Sequence, residues 1–125
     1  MILHELALTN FMPYLGDQVI RLSPAVPANI VVVFGDNMGG KTSLLNGLRW
    51  CLYGKAYLRG GETKRILLAN LLNKEARDAG DYSFNAALRF ERNGARYELR
   101  RSAVARNPAT APRDDSDFDV RVSLI

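Results

Sequence analysis

The segment Gly35-Asp36-Asn37-Met38-Gly39-Gly40-Lys41-Thr42 restricts the possible folds of this chain more than any other feature. It fits the pattern G-x-x-x-x-G-K-[ST], known as Walker A, which forms a loop around nucleotide phosphates. The β-branched run from Asn29 to Phe34 precedes it and predicts a strand buried on both faces of a mainly parallel sheet. A helix is predicted to follow from Lys41 to Tyr53, because apolar residues recur there at helical spacing: Leu44, Leu45, Leu48, Cys51 and Leu52.

The residue types in this segment suit the binding of ATP and Mg²⁺. Glycines allow positive φ angles and a close approach of backbone N–H groups to phosphate oxygens. The helix N-terminus adds a partial positive charge. We expect Lys41 to reach the β and γ phosphates and the hydroxyl of Thr42 to ligate Mg²⁺. The candidate nucleotide site therefore comprises Gly35, Asp36, Asn37, Met38, Gly39, Gly40, Lys41, Thr42 and Ser43.

Two residues of this candidate site have alternative roles. Asn37 either contacts the γ phosphate or the attacking water, or it serves as a turn-forming residue. Ser43 is favoured as a residue of the helix start over a second metal ligand. The alternative for the whole segment is a glycine-rich turn from strand to helix that holds no ligand.

The composition predicts one soluble globular domain. The 125 residues are 47% hydrophobic and 24% charged, which is enough for a single core. The one cysteine, Cys51, lies on the apolar stripe of the predicted helix and is expected to be a buried core residue in a reducing compartment. Signal-peptide features and apolar runs near 18 residues are absent from the sequence, so we expect a cytoplasmic location, with nucleoid association open, and no membrane partner. A net charge of +4 permits contact with nucleic acid.

Two β-hairpins are predicted from strand patterns and turn residues. Strands over Met1–Met12 and Asp17–Leu22 are joined by a turn that contains Pro13 and Gly16. In the second hairpin, Asn93-Gly94 favours a two-residue type I′ turn, with an apolar face and a ladder of charged pairs on the other face. This turn fixes four cross-strand pairs: Phe90 with Tyr97, Leu88 with Leu99, Arg89 with Glu98, and Glu91 with Arg96.

The rest of the chain is predicted to alternate between loops and short elements. Gly54–Thr63 forms a glycine-rich basic loop, and Lys64–Arg77 forms a short amphipathic helix that breaks near one of its two asparagines. The stretch Asn107–Asp117 predicts a loop with disorder, followed by a last strand over Phe118–Ile125. No apolar run that ends in an acidic residue follows the Walker A segment, so we expect an N-terminal piece of a longer protein that binds nucleotide weakly and hydrolyses almost none alone.

Several segments of this sequence resemble the heads of SMC-like ABC ATPases that act in DNA repair and maintenance. The resemblance rests on Phe34 to Asn46, on Leu52-Tyr53-Gly54 and on the opening Leu6 to Phe11. Within that superfamily, Arg49 to Gly54 and Leu71 to Ala76, with the first six residues, are most similar to DndD, the ATPase group of bacterial DNA phosphorothioation (DNA sulfur modification) systems. The resemblance extends over nearly the whole chain.

The resemblance implies a fold, a cofactor and partners. The fold is α/β, a P-loop NTPase of the ABC/SMC type, in which residues 1–125 form lobe I of a head: a mixed sheet with antiparallel β-hairpins around the Walker A helix. A C-terminal lobe of the same protein, separated by a coiled coil, completes each head, and two heads form a homodimer that sandwiches ATP. DNA and other proteins of a DNA-modification system are the further partners implied. Arg59 resembles in position an arginine that reaches the phosphates in SMC heads, and the alternative is a solvated loop arginine.

Other residues have two possible interpretations each. Clustered arginines of the second hairpin would suit DNA phosphates, but acidic cross-strand partners favour a solvated face for Arg89 and Arg96. Trp50 and Tyr53 are predicted to be packing residues instead of a base-stacking platform. The better candidates for DNA contact are Lys55, Lys64, Arg65, Arg100 and Arg101.

Three classes of function remain open from the sequence. The first is an ATP-binding lobe of an ATPase that acts on DNA, whose output is the closing and opening of the head dimer. The second is a P-loop kinase or GTPase, which is disfavoured because the guanine-reading string N-K-x-D does not occur. The third is an interaction domain without enzymatic activity, against which the intact Lys41 and Thr42 argue.

Overall fold

A single antiparallel sheet forms the larger part of this computed structural model, which describes residues 2–22, 40–57 and 65–125. Its five strands stand in the spatial order β2-β1-β3-β4-β5. In chain order the strands are β1 Ile2–Phe11, β2 Tyr14–Arg21, β3 Ser83–Arg92, β4 Ala95–Ala105 and β5 Phe118–Leu124. The helices are α1 Gly40–Tyr53, α2 Leu68–Leu71 and α3 Lys74–Asp78. The predicted strand at 29–34, and with it the parallel part of the predicted mixed sheet, lies outside the described residues.

Both predicted hairpins are confirmed. In the second, the turn residues Asn93 and Gly94 have φ angles of 52° and 78°, which is the conformation that a type I′ turn requires. All four predicted cross-strand pairs occur in the register of β3 and β4. In the first hairpin the turn is tighter than predicted, since Phe11 pairs with Tyr14 and β2 already includes Gly16. Gly16 instead occupies a bulge with a φ of 68°, where the pairing of β1 and β2 shifts.

The core lies between one face of this sheet and α1. Alternate residues of β1 and β3 point to that face and are fully buried, among them Leu6, Leu8, Phe84 and Leu88. Trp50 of α1 packs on Phe84 with ring centroids 4.9 Å apart. Phe11 and Phe118 extend this aromatic cluster at 6.1 and 5.6 Å from the Phe84 ring. The cluster therefore joins α1 to strands from both ends of the described sequence.

The helix α1 approaches the sheet closely at Gly47. A Cβ atom there would lie 2.9 Å from a Cδ atom of Leu8, which is itself fully buried. Because neighbouring side chains hold Leu8 in place, the absence of a side chain at position 47 lets the helix lie directly on β1.

We expect Gly47→Ala to destabilise the fold by about 1 kcal/mol. Overpacking costs about 1–3 kcal/mol, which exceeds the gain of about 1 kcal/mol in helix propensity. Urea denaturation measures the change. Leu8→Val shortens the neighbouring side chain, so the double variant should lose less stability than the sum of the two single losses. A loss in the double variant equal to or larger than that sum would contradict this contact.

The segment between α1 and β3 contains a broken helix, as predicted. The break falls at Asn73, whose side-chain Oδ1 accepts a hydrogen bond from the backbone N–H of Ala76 at 3.0 Å and caps α3. The buried residues Leu71 and Leu72 directly precede this cap and belong to the core. The isolated pairing of Tyr57 with Arg65 shows that the chain returns to the end of α1 before α2 begins.

The prediction of disorder in the stretch 107–117 is wrong. A short 3-10 helix, Asp115–Asp117, forms there behind a capping box in which Asp114 and Asp117 bond each other's backbone. The carboxylate of Asp115 pairs with the guanidinium of Arg65 and accepts the N–H of Leu68 at 2.9 Å. These contacts span almost 50 residues of sequence, so a local composition rich in proline, alanine and aspartate gave no sign of them.

Candidate functional site

The helix predicted after the Walker A segment is confirmed, and it begins inside that segment. Its first residue is Gly40, so Lys41 and Thr42 belong to its first turn. The free N–H groups at the start of a helix, with the positive end of its dipole, attract anions. That turn contains no acidic residue to repel phosphates. A helix start of this kind can accept a nucleotide phosphate.

Most of the predicted nucleotide-site residues lie outside the described part of the chain. These are Gly35, Asp36, Asn37, Met38, Gly39 and Arg59, together with the side chains of Lys41 and Thr42. Ser43 is described and is 3% exposed, on the side of α1 that faces the protein interior. Their roles in phosphate and Mg²⁺ binding therefore stay predictions. Among the described residues, no cluster of three or more His, Cys, Asp or Glu forms an alternative metal site.

Two buried asparagines hold the N-terminal hairpin against the broken helix. Asn10 adopts a φ of 51°, and its Oδ1 accepts the N–H of Gly16 at 2.9 Å. Its Nδ2 donates to the carboxylate of Asp81 at 2.9 Å and to the carbonyl of Ser83 at 3.3 Å. Asn73 donates its N–H to the carbonyl of Asn10 and its Nδ2 to the carbonyl of Met12, both at 2.8 Å. The opening Asn-Phe and the later Leu-Leu-Asn segments, both used for the resemblance, thus meet in space.

We expect Asn10→Ala to lower the free energy of unfolding by about 2–5 kcal/mol. The change leaves buried polar groups unpaired, at about 1–3 kcal/mol, and places alanine at a positive φ that costs about 1–2 kcal/mol. Denaturant unfolding measures the loss. Asn93→Ala is the matched control, since Asn93 has a φ of 52° in an exposed turn and loses only the conformational preference. Equal losses for the two variants would contradict the role of the Asn10 hydrogen bonds.

Cys51 is a buried core residue, as predicted. Its thiol donates towards the carbonyl of Leu99 at 3.3 Å and is fully shielded from solvent. Burial raises the pKa of this thiol to about 11, although the nearby Arg101 opposes the shift. The thiol is therefore neutral at physiological pH and is not a nucleophile.

The basic residues considered for DNA contact have different environments. Arg89 pairs with Glu98 at 3.4 Å and Arg96 with Glu91 at 3.7 Å, which confirms the solvated charged face. Arg100 donates two hydrogen bonds to Glu98, and this pairing lowers the pKa of the Glu98 carboxyl. Of the other candidates, Arg65 pairs with Asp115, and Arg101 donates to the carbonyl of Cys51 at 3.3 Å. Lys55 is exposed, and Lys64 lies outside the described residues.

The packing prediction is right for Trp50 and wrong for Tyr53. Trp50 is 1% exposed, whereas Tyr53 is 74% exposed. Leu45, assigned to the apolar stripe, is 48% exposed on the same side of α1. The error arises because apolar residues occur around most of this helix, so that helical spacing alone did not identify the side that packs on the sheet.

Asn46 is a buried structural residue next to the candidate site to which the sequence interpretation gave no role. Its Nδ2 donates to the carbonyl of Tyr57 at 3.0 Å, and its Oδ1 accepts the N–H of Tyr57 at 3.2 Å. This two-way bond fixes the chain after α1 beside a point one turn from Thr42. A polar residue between Leu45 and Gly47, facing the interior of a largely apolar helix, was the signal available in the sequence.

Comparison with known proteins identifies the family. The model of a family described as an AAA domain matches residues 5–119, which is nearly the whole chain. A search of curated proteins found no significant match. None of the helices in the described ranges is long and apolar enough to cross a membrane. The matched region contains the helix start at Gly40, the whole second hairpin and all of the first hairpin except the first three residues of β1. The chain belongs to the AAA domain family, as an SMC-like ATPase lobe.

Proposed function

We propose that this chain is the ATP-binding lobe of a DNA-associated SMC-like ATPase, and that residues 35–43 hold the phosphates of ATP·Mg²⁺. The observation that carries the proposal is the start of α1 at Gly40, inside a G-x-x-x-x-G-K-[ST] segment and within the AAA domain match. P-loop ATPases bind phosphates at this junction of loop and helix.

In this proposal each side chain has a defined role. Lys41 donates to the β and γ phosphates, and the hydroxyl of Thr42 ligates Mg²⁺, which neutralises phosphate charge. Arg59 reaches the phosphates from the chain after α1. Asn46 supports that role, because it holds Tyr57, two residues before Arg59, against the first half of α1. Residues 1–125 act as lobe I and require the C-terminal lobe and a second head for hydrolysis.

The finer assignment is a DndD-like ATPase that serves DNA phosphorothioation or a linked defence, in the cytoplasm or on the nucleoid. It is supported by the similarity of the segments Arg49–Gly54 and Leu71–Ala76 to that group. The segment Leu71–Ala76 also has a structural role, since Asn73 binds it to the N-terminal hairpin through two hydrogen bonds.

A nucleotide titration separates this function from its alternatives. We expect ATP to bind in the presence of Mg²⁺ with clearly higher affinity than GTP, measured by calorimetry on the 125-residue chain. A clear preference for GTP would support the GTPase alternative. Failure of both ATP and GTP to bind even at millimolar concentrations, which cover the weak affinity expected of an isolated lobe, would support the interaction domain without enzymatic activity.

A further inference from the structure

Two tyrosines and two cations surround one concavity at the C-terminal end of α1. Arg49, Tyr53, Lys55 and Tyr57 line a space of about 360 Å³, and together they are called the Tyr53 surface below. Arg49 and Tyr53 lie four residues apart and therefore on the same side of α1. Tyr53 is 74% exposed, which is unusual for so large an aromatic ring on a helix rich in apolar residues. The aromatic rings suit a ligand with flat apolar faces, and the two cations suit a ligand with negative charge.

The backbone around this surface is held in place. Gly54 ends α1 in a left-handed conformation with a φ of 76°, and its N–H donates to the carbonyl of Trp50 at 2.8 Å. Asn46 then clamps the backbone of Tyr57 through two hydrogen bonds of 3.0 and 3.2 Å. The backbone positions of the two tyrosines are thus fixed before any ligand binds, which lowers the entropic cost of binding.

The charge at this surface is positive, and no ion pair within residues 2–22, 40–57 and 65–125 neutralises it. The ion pairs among the described residues use other cations and leave Arg49 and Lys55 without a carboxylate; those cations are His4, Arg65, Arg89, Arg96, Arg100 and Arg121. The negative end of the α1 dipole would oppose an anionic ligand, but Arg101 donates to the carbonyl of Cys51 and offsets it.

We propose that the Tyr53 surface binds single-stranded nucleic acid, with an unpaired base stacked on Tyr53 and adjacent phosphates at Arg49 and Lys55. Aromatic rings flanked by cations are the usual platform for unpaired bases, because every base has a π face and every linkage a negative charge. In a duplex the bases already stack on one another and are not available to the ring. The proposal deepens the proposed function, on which its choice of nucleic acid rests, by naming the surface and the strand form.

Fluorescence anisotropy with a labelled oligothymidylate of about 15 nucleotides tests this surface in the absence of ATP. We expect Tyr53→Ala to weaken binding about tenfold, since stacking on one aromatic ring contributes roughly this much. Tyr53→Phe keeps the ring and should bind within about twofold of the unaltered protein. An unchanged affinity for Tyr53→Ala, or an equal loss for both variants, would overturn the stacking role.

The phosphate contacts are tested by salt dependence. Two phosphate contacts on a single strand predict a slope of about −1.4 for log K against log salt concentration. The double variant Arg49→Ala/Lys55→Ala should reduce this slope to near zero, whereas Arg121→Ala, a cation on the exposed strand β5, should leave it unchanged. An unchanged slope in the double variant, or duplex DNA of the same length bound as tightly as the single strand, would contradict the proposal.

The nucleotide site provides the remaining control. Lys41→Ala should keep full affinity for the oligothymidylate, and a loss there would place the oligonucleotide in the ATP site and overturn the proposal. If ATP binds but the Tyr53 surface variants behave like the unaltered protein, this inference fails and the ATPase function stands. If the oligothymidylate binds as expected while ATP does not, the Tyr53 surface stands as a nucleic-acid site and the ATP-binding function fails.

Discussion

Trp50→Ala is expected to lower the free energy of unfolding by about 3–5 kcal/mol, as for other large buried aromatic residues. The Trp50 ring is 1% exposed and lies 4.9 Å from the ring of Phe84 and 5.9 Å from that of Phe11. Its removal leaves a cavity at the contact between α1 and the sheet. A loss of this size is a large part of the about 5–15 kcal/mol that stabilise a domain. Urea denaturation followed by circular dichroism measures it.

A matched control lies one turn further along the same helix. Tyr53→Ala removes another aromatic side chain, but one that is 74% exposed, so its effect should stay within about 0.5 kcal/mol. A comparable loss of stability in both variants would contradict the orientation of α1, and with it the assignment of Tyr53 to a binding surface.

Lys41→Ala is expected to reduce ATP turnover by roughly a hundredfold or more, when measured on the protein assembled with its C-terminal lobe. The lysine is proposed to stabilise charge on the transferred phosphate, and removal of one such donor costs this much. Stability should be almost unchanged, because alanine is at least as good a helix former as lysine in the first turn of α1. Turnover equal to that of the unaltered protein, with a normal unfolding curve, would rule out the Walker A assignment.

The features that the sequence predicts well are those with local chemical causes. The register of β3 and β4 follows from Asn93-Gly94, because a two-residue turn with positive φ angles permits one alignment of the strands. The start of α1 near Lys41 likewise follows from a glycine pair at the end of a loop motif. The break at Asn73 reflects the capping ability of asparagine.

The features that were missed depend on contacts distant in sequence. The Asn10 side chain reaches Asp81, and Asp115 reaches Arg65 and Leu68, over separations of about 50 to 70 residues. No local pattern specifies such pairs. Tyr53 was wrongly assigned to the packed side of α1 because the helix is apolar around most of its circumference. The buried side is instead the one on which Gly47 lies close to Leu8 of the sheet.

The candidate site likewise has a part that the sequence predicts and a part that it does not. Its residue types and the helix start were predictable from one motif, and the structure confirms the helix start. The Asn46 clamp on Tyr57 was not predictable, because it requires the chain after α1 to return along the helix. This return is fixed by the pairing of Tyr57 with Arg65 and by the bond from the N–H of Ile66 to the carbonyl of Ala56 at 2.8 Å.

The start of α1, with residues 35–43, is proposed to hold the phosphates of ATP. Amide chemical-shift mapping by NMR on a chain of this size, titrated with ATP and Mg²⁺, tests this assignment. We expect large shifts at the amides of residues 35–43 and little change in β5, and we expect Lys41→Ala to abolish these shifts. Shifts that are absent at these amides, or that are largest elsewhere on the protein, would contradict the assignment of the nucleotide site.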